Sequence, residues 1–178
     1  LRDAQVPTLV LPDAFTVIRN AGEMESLGLE WELTLLPWKG LELQYNAGWV
    51  RAKYKTLRLS QNGQEMNYDG NRQVFTPTQT SLVTLQYGVP VGQGGHFRFT
   101  IRGEWVLTGK QYFDLANTIA QDNYSVLNLR TGVTYKQYGL HVWIRNMTDE
   151  RFIAYAYDFG GTHLGNPRTY GMTVSARF

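Results

Sequence analysis

The chain has 178 residues, with 17 Lys+Arg against 15 Asp+Glu and a formal net charge of +2. That length gives one domain with room for a core or a closed sheet, and the near balance of charge excludes a strongly basic nucleic-acid binder. Cys is absent, which excludes disulfide scaffolds and Cys-ligated zinc or iron–sulfur sites. His96, His141 and His163 are far apart and form no HExxH pairing, so no metal site is expected. No apolar run approaches the ~18–20 residues of a membrane-spanning helix. The N-terminus, Leu1-Arg2-Asp3, has neither Met nor a signal-peptide pattern, so the chain is read as mature, processed or part of a longer one. Aromatic content is 13%, Gly (18) outnumbers Pro (6) and mean hydropathy is −0.33, which suits sheets whose two faces differ.

Taken in chain order, the segment Ala4 to Leu11 is a weak strand candidate, because Pro7 and Pro12 interrupt it. From Gly22 to Pro37, Leu27, Leu29, Trp31, Leu33 and Leu35 alternate with Ser26, Gly28, Glu30, Glu32 and Thr34. Period two predicts a strand, because successive side chains point to opposite faces. Its apolar face is about the ~9–11 residues that a tilted strand needs to cross a bilayer. After the turn Pro37-Trp38-Lys39-Gly40 the pattern returns, with Leu41, Leu43, Tyr45, Ala47 and Trp49 on one side. Val83, Leu85, Tyr87 and Val89 follow, with Leu82 as an exception. Next come Phe97, Phe99, Ile101, Trp105 and Leu107, then Leu127, Leu129, Val133 and Tyr135. Leu140, Val142 and Ile144 lie after a turn near Lys136-Gln137-Tyr138, and Tyr170, Met172, Val174, Ala176 and Phe178 close the chain. No amphipathic helix of useful length is expected.

The connections differ in length. Those near 37–40, 89–95 and 136–138 are short, and those near 55–75, 109–123 and 150–166 are long and polar. Aromatics gather at both strand ends: Trp38, Tyr87, Phe97, Tyr135, Tyr138 and Phe178 by the short turns, Trp49, Trp105 and Tyr124 by the long ones. Paired aromatic girdles, short periplasmic turns and long outer loops characterise outer-membrane barrels. Seven clear strands leave the first one starting outside the cell, whereas such barrels have an even strand number with both ends periplasmic. The expected fold class is therefore all-β: an antiparallel transmembrane β-barrel segment of seven to eight strands, the C-terminal part of a larger barrel. The rivals are a small self-standing outer-membrane barrel acting as pore or adhesin, and a soluble barrel or sandwich binding an apolar ligand. Closure of the chain on itself favours the first rival. Burial of Leu29, Trp31, Phe99 and Val174 in one soluble centre favours the second.

Three segments carry a family resemblance. Arg19-Asn20-Ala21-Gly22 followed by Ser26-Leu27-Gly28-Leu29-Glu30 resembles a strand of TonB-dependent outer-membrane receptors. Val142 through Asn146-Met147-Thr148-Asp149-Glu150-Arg151-Phe152 resembles that family's strand and loop near the C-terminus, with Phe152 where the family often has Tyr. Gly165-Asn166-Pro167-Arg168 through Phe178 resembles its closing strand. The resemblance implies a barrel of about the 22-stranded type and active import across the outer membrane, typically of a ferric siderophore. It also implies a plug domain and a TonB–ExbB–ExbD energising complex as partners, the plug lying outside these residues.

Candidate cargo contacts are the aromatics of the long loops, Tyr112, Phe113, Tyr155 and Tyr157, which can stack on flat ligands. The alternative is that they cap the barrel rim. Arg98, Arg102, Arg130, His141, Trp143 and Arg145 share the polar face and are expected to face the lumen. Glu30, Glu32 and Glu104 are possible partners for the arginines, and an absent plug is a possible one for Trp143. Phe178 resembles the C-terminal aromatic by which barrels are recognised by their assembly machinery, and it also suits a girdle. No catalytic cluster, cofactor, metal site or nucleic-acid partner is expected. Asn146-Met147-Thr148 and Asn123-Tyr124-Ser125 match the glycosylation pattern by chance.

Overall fold

Alternation along the chain is converted into two chemically distinct faces only if neighbouring strands keep the same parity, and the register shows that they do. The computed structural model describes residues 2–10, 15–61 and 64–177. In chain order the strands are β1 (Arg2–Val10), β2 (Phe15–Leu35), β3 (Leu41–Thr56), β4 (Arg58–Gln61), β5 (Gln64–Asn67), β6 (Gln79–Val91), β7 (Phe97–Thr108), β8 (Gln111–Tyr112), β9 (Ala120–Gln121), β10 (Tyr124–Tyr135), β11 (Tyr138–Arg145), β12 (Ile153–Ala156), β13 (Thr162–Leu164) and β14 (Thr169–Ala176). Eight form one antiparallel meander in the order β1-β2-β3-β6-β7-β10-β11-β14. The pairs β4–β5, β8–β9 and β12–β13 are separate small ladders in the three long connections. Among the described residues β1 and β14 do not pair, so the sheet is open rather than a closed small barrel.

Two boundaries differ from expectation. The segment with Pro7 is a strand after all, pairing from Arg2↔Glu23 to Val10↔Phe15. It is an edge strand of this sheet, where a missing N–H is tolerated. Leu11 and Pro12 lie outside the described residues. Strand β2 also starts earlier than the apolar alternation, at Phe15. Its first part pairs with β1, and from Glu23 onward it pairs with β3. The handover is marked by a register shift between Glu23 and Met24. Gly22 sits there at φ 29°, and a Cβ on it would run into the Thr56 carbonyl.

One continuous row runs Leu33↔Tyr45↔Val83↔Trp105↔Leu127, and another runs Leu35↔Leu43↔Leu85↔Gly103↔Leu129↔Ile144↔Tyr170. A third runs Val89↔Phe99↔Val133↔Leu140↔Val174. Among the described residues no element covers this face: Leu29 is 61% exposed and Val174 71%. The condition for a soluble apolar centre is not met. Leaving so much apolar surface in water costs roughly 25 cal/mol per Å², which a bilayer removes. The opposite face is polar, as in the row Gln86↔Arg102↔Arg130↔Trp143↔Gly171.

The buried apolar cluster lies at the end of β3 that leads into the first long connection. Tyr54, Leu57 and Leu59 form it, with Met24, Tyr68 and Leu115 packed against them. A second tight point joins the third connection to the sheet. Phe152 stacks on Tyr124 with ring centroids 4.1 Å apart, and a Cβ on Gly165 would enter the Phe152 ring. Gly165→Ala should therefore push Phe152 off Tyr124 and cost about 1–3 kcal/mol. Loss of near-ultraviolet ellipticity and faster amide exchange around 150–168 would register it; an unaltered spectrum would contradict the packing argument.

Candidate functional site

The three long connections leave the same end of the sheet, and side-chain amides and carboxylates tie them to one another. Within the first, Leu57 N donates to Asp69 Oδ1 at 2.7 Å. Within the second, the buried Asp114 carboxylate accepts from Thr118 N, Ile119 N and Thr118 Oγ1. Three backbone-directed bonds then lock first to second. Asn71 Nδ2 donates to the Leu115 carbonyl at 2.8 Å, Asn117 Oδ1 accepts from Arg72 N at 2.7 Å, and Asn117 Nδ2 donates to the Arg72 carbonyl at 3.1 Å. Asn117 makes both bonds from φ 58°, a left-handed conformation that Asn tolerates. Phe75 N donates to the Tyr112 carbonyl and Thr78 N to that of Lys110. The third connection joins through Ile153 N, which donates to Gln121 Oε1 at 2.7 Å.

On this frame stands a row of rings. Phe113 meets Phe75 at 5.8 Å, Phe75 stacks on Tyr155 at 4.9 Å and 10°, Tyr155 meets Tyr157 at 4.6 Å, and Tyr157 stacks on Phe159 at 4.9 Å. Of the four expected contact residues, Phe113, Tyr155 and Tyr157 belong to this row. Phe113 is its buried foot, whereas Tyr157 and Phe159 are exposed. Tyr112 stands apart, under the Lys110 ammonium at 5.7 Å. Phe75 joins rings from two different connections and was missed from sequence. A lone aromatic in the polar stretch Gln73-Val74-Phe75-Thr76-Pro77 was the available signal. Its backbone, at φ 54°, is strained for a bulky residue.

The phenols of the buried cluster at the end of β3 hold their protons more tightly than a free phenol. Burial raises the Tyr68 pKa, and the carboxylates of Asp114 and Asp158 raise it further. Burial also raises that of Tyr54, against a lowering hydrogen bond with the Val74 backbone. Lys110 is held charged by its hydrogen bond and ion pair with Asp122 at 2.9 Å.

Arg98, Arg102, Arg130, His141, Trp143 and Arg145 all occupy the polar face, since each pairs at the same parity. Arg102 and Arg130 are directly opposite, a repulsive arrangement relieved by Glu104. Arg102 Nε donates to Glu104 Oε1 at 2.7 Å, and its Nη1 donates to Gln86 Oε1 at 3.3 Å. Glu30 and Glu32 do not serve these arginines: they lie on β2, opposite Gly48 and Asn46, with β3 and β6 between them and β7. The Arg145 guanidinium covers the Trp143 ring at 5.1 Å. That ring lies over Gly171, where a Cβ would meet it at 2.5 Å. His141 Nδ1 has no hydrogen-bond partner among the described residues. Phe178 lies outside them.

The two C-terminal sequence motifs meet in space. Asn146, 3% exposed and at φ 48°, donates from Nδ2 to the carbonyls of Glu150 and Asn166 and accepts from Glu150 N. Asp149 Oδ1 accepts from Arg168 N at 2.9 Å. The Asn-x-x-Asp spacing is thus a structural clasp that fixes where the third connection leaves and re-enters the sheet.

A family model described as TonB dependent receptor-like, beta-barrel, matches residues 1–147. The pesticin receptor of Yersinia pestis is 24% identical over 177 residues, covering 94% of this chain and 24% of that protein. Among solved structures, the ferric yersiniabactin uptake receptor FyuA of Yersinia pestis superposes with a TM-score of 0.77 at 23% identity, over 91% of this chain and 25% of that one. The siderophore receptor PiuA of Acinetobacter baumannii gives 0.76 at 20% identity, over 97% and 24%. BauA, the ferric preacinetobactin receptor of the same organism, gives 0.67 at 19%, over 97% and 25%. The chain spans about a quarter of the length of these relatives. An open meander with one lipid-type face, long connections at one end and a family match over most of its length place this chain in the TonB-dependent receptor-like β-barrel family.

Proposed function

We propose that the chain is the C-terminal part of the barrel of an outer-membrane transporter that imports a ferric siderophore. The carrying observation is the row Phe75–Tyr155–Tyr157–Phe159, mounted on interlocked connections above a sheet with an uncovered apolar face. Flat, aromatic iron chelates stack on such rings. The likeness to receptors for ferric yersiniabactin and ferric preacinetobactin supports the same cargo class. In this reading the long connections are extracellular, and the polar face with Arg98, Arg102, Arg130, His141, Trp143 and Arg145 lines the lumen against a plug. TonB, with ExbB and ExbD, supplies the energy, and Phe178 serves barrel assembly.

The test uses the intact receptor with ferric yersiniabactin and ferric preacinetobactin as probes. Tyr155→Ala with Tyr157→Ala should weaken binding of the preferred probe about tenfold or more, since each aromatic contact contributes ~0.5–1.5 kcal/mol beyond burial. Unchanged affinity in the double variant would remove the row from the binding surface. Binding of neither probe by the unaltered receptor would overturn the choice of these two cargoes.

A further inference from the structure

The hairpin that carries Tyr155 has unequal arms. At its base Gly165 N donates to the Phe152 carbonyl, and near its tip Tyr157 N donates to the Gly161 carbonyl. Between these closures β12 has 4 residues and β13 has 3. One residue of β12 must therefore bulge, and the closures alone do not say which. The register places the bulge at Ala154: Ile153 pairs with Leu164, Tyr155 with His163 and Ala156 with Thr162. Moving it one place, to Tyr155, would set Ala154 opposite His163. The Tyr155 ring would then turn away, because neighbouring positions on a strand face opposite sides.

The group that selects the observed place lies on the second connection. Ile153 N donates not across the hairpin but to Gln121 Oε1 at 2.7 Å. The Gln121 amide is itself held, its Nε2 donating to the Asp122 carbonyl at 3.0 Å. In the β8–β9 ladder Gln121 pairs with Gln111, and next to it Ala120 pairs with Tyr112. The Tyr112 carbonyl accepts from Phe75 N. One short ladder thus mounts the backbones on both sides of the parallel Phe75–Tyr155 stack, whose rings lie 4.9 Å and 10° apart.

We infer that Gln121 is a positioning residue: by taking Ile153 N it fixes the bulge of β12 at Ala154 and so aims Tyr155 at Phe75. It acts on cargo only through that ring, and this part of the inference rests on the ring row being the cargo surface proposed above.

The experiment follows amide exchange and affinity for ferric yersiniabactin and ferric preacinetobactin in the intact receptor. Gln121→Met keeps the length of the side chain and replaces the carbonyl by a poor acceptor. It should speed exchange at Ile153 to Ala156 about tenfold or more, and weaken the preferred probe roughly three- to tenfold. Gln121→Glu, which keeps an oxygen for Ile153 N, should behave as the unaltered receptor. In the Tyr155→Ala background Gln121→Met should cost no further affinity, because both changes remove the same contact. A residue that merely stiffens the connection would behave otherwise. Exchange rising evenly across 147–168, Gln121→Glu matching Gln121→Met, or an affinity loss that persists without the Tyr155 ring would overturn the inference. Exchange needs no cargo, so it still decides the role of Gln121 if the unaltered receptor binds neither probe, a result that would count against the transport reading alone.

Discussion

Asn146→Ala should free the third connection from the sheet. The substitution removes three hydrogen bonds, takes the amide partner from the Glu150 and Asn166 carbonyls, and leaves Ala at φ 48°. Lost bonds with unsatisfied partners and a left-handed non-glycine residue together predict about 3–5 kcal/mol of local destabilisation. Amide exchange across 147–168 of the intact receptor should accelerate about a hundredfold or more. Asn146→Gly should lose less, because it relieves the backbone while removing the same bonds. Asn146→Asp should resemble Ala, since it keeps the acceptor for Glu150 N but turns a carboxylate on two carbonyls. Unchanged protection in the Ala variant would show that the clasp does not hold the connection.

Leu85→Arg tests the opposite claim, about the face rather than the loops. Leu85 is 50% exposed, pairs with Leu43 and Gly103, and lies between the ring-bearing ends of the strands. An arginine near the bilayer midplane on this face costs about 2–4 kcal/mol. Folding of the intact receptor into lipid vesicles, followed by heat-dependent gel mobility, should show a reduced folded fraction at intermediate urea. Asn46→Arg, on the polar face opposite Glu32, should fold normally. If both variants behave alike, the two faces do not differ in environment.

The faces were legible because parity is a property of the sequence: Leu27 to Leu35 and Phe97 to Leu107 announce their orientation residue by residue. The shared face of Arg98, Arg102, Arg130 and Arg145 follows from the same arithmetic. Pairing follows only in part. Glu104 adjoins Arg102 by spacing alone, two residues along one strand, but strand order is needed to show that Glu30 does not adjoin it. The extension of β2 to Phe15 was hidden because β1, not an alternating apolar face, specifies it. The ring row was half legible. Tyr155 and Tyr157 stood out as aromatics in a long loop, while Phe75 acquires meaning only when Asn71, Arg72 and Asn117 bring two connections together. Asn146 was visible as a motif, but its reason is a hydrogen-bond pattern closed by residues twenty positions away.

The bonds among Asn71, Arg72, Leu115 and Asn117, with Gln121 reaching Ile153, make the loop end behave as a palm rather than as independent fingers. In the proposed transport reading a guest would meet a surface already set, with little freedom surrendered on capture. Recognition on such a palm changes in concert: a connection transplanted alone would arrive without the amides and carbonyls that hold it, and its rings would lose their neighbours.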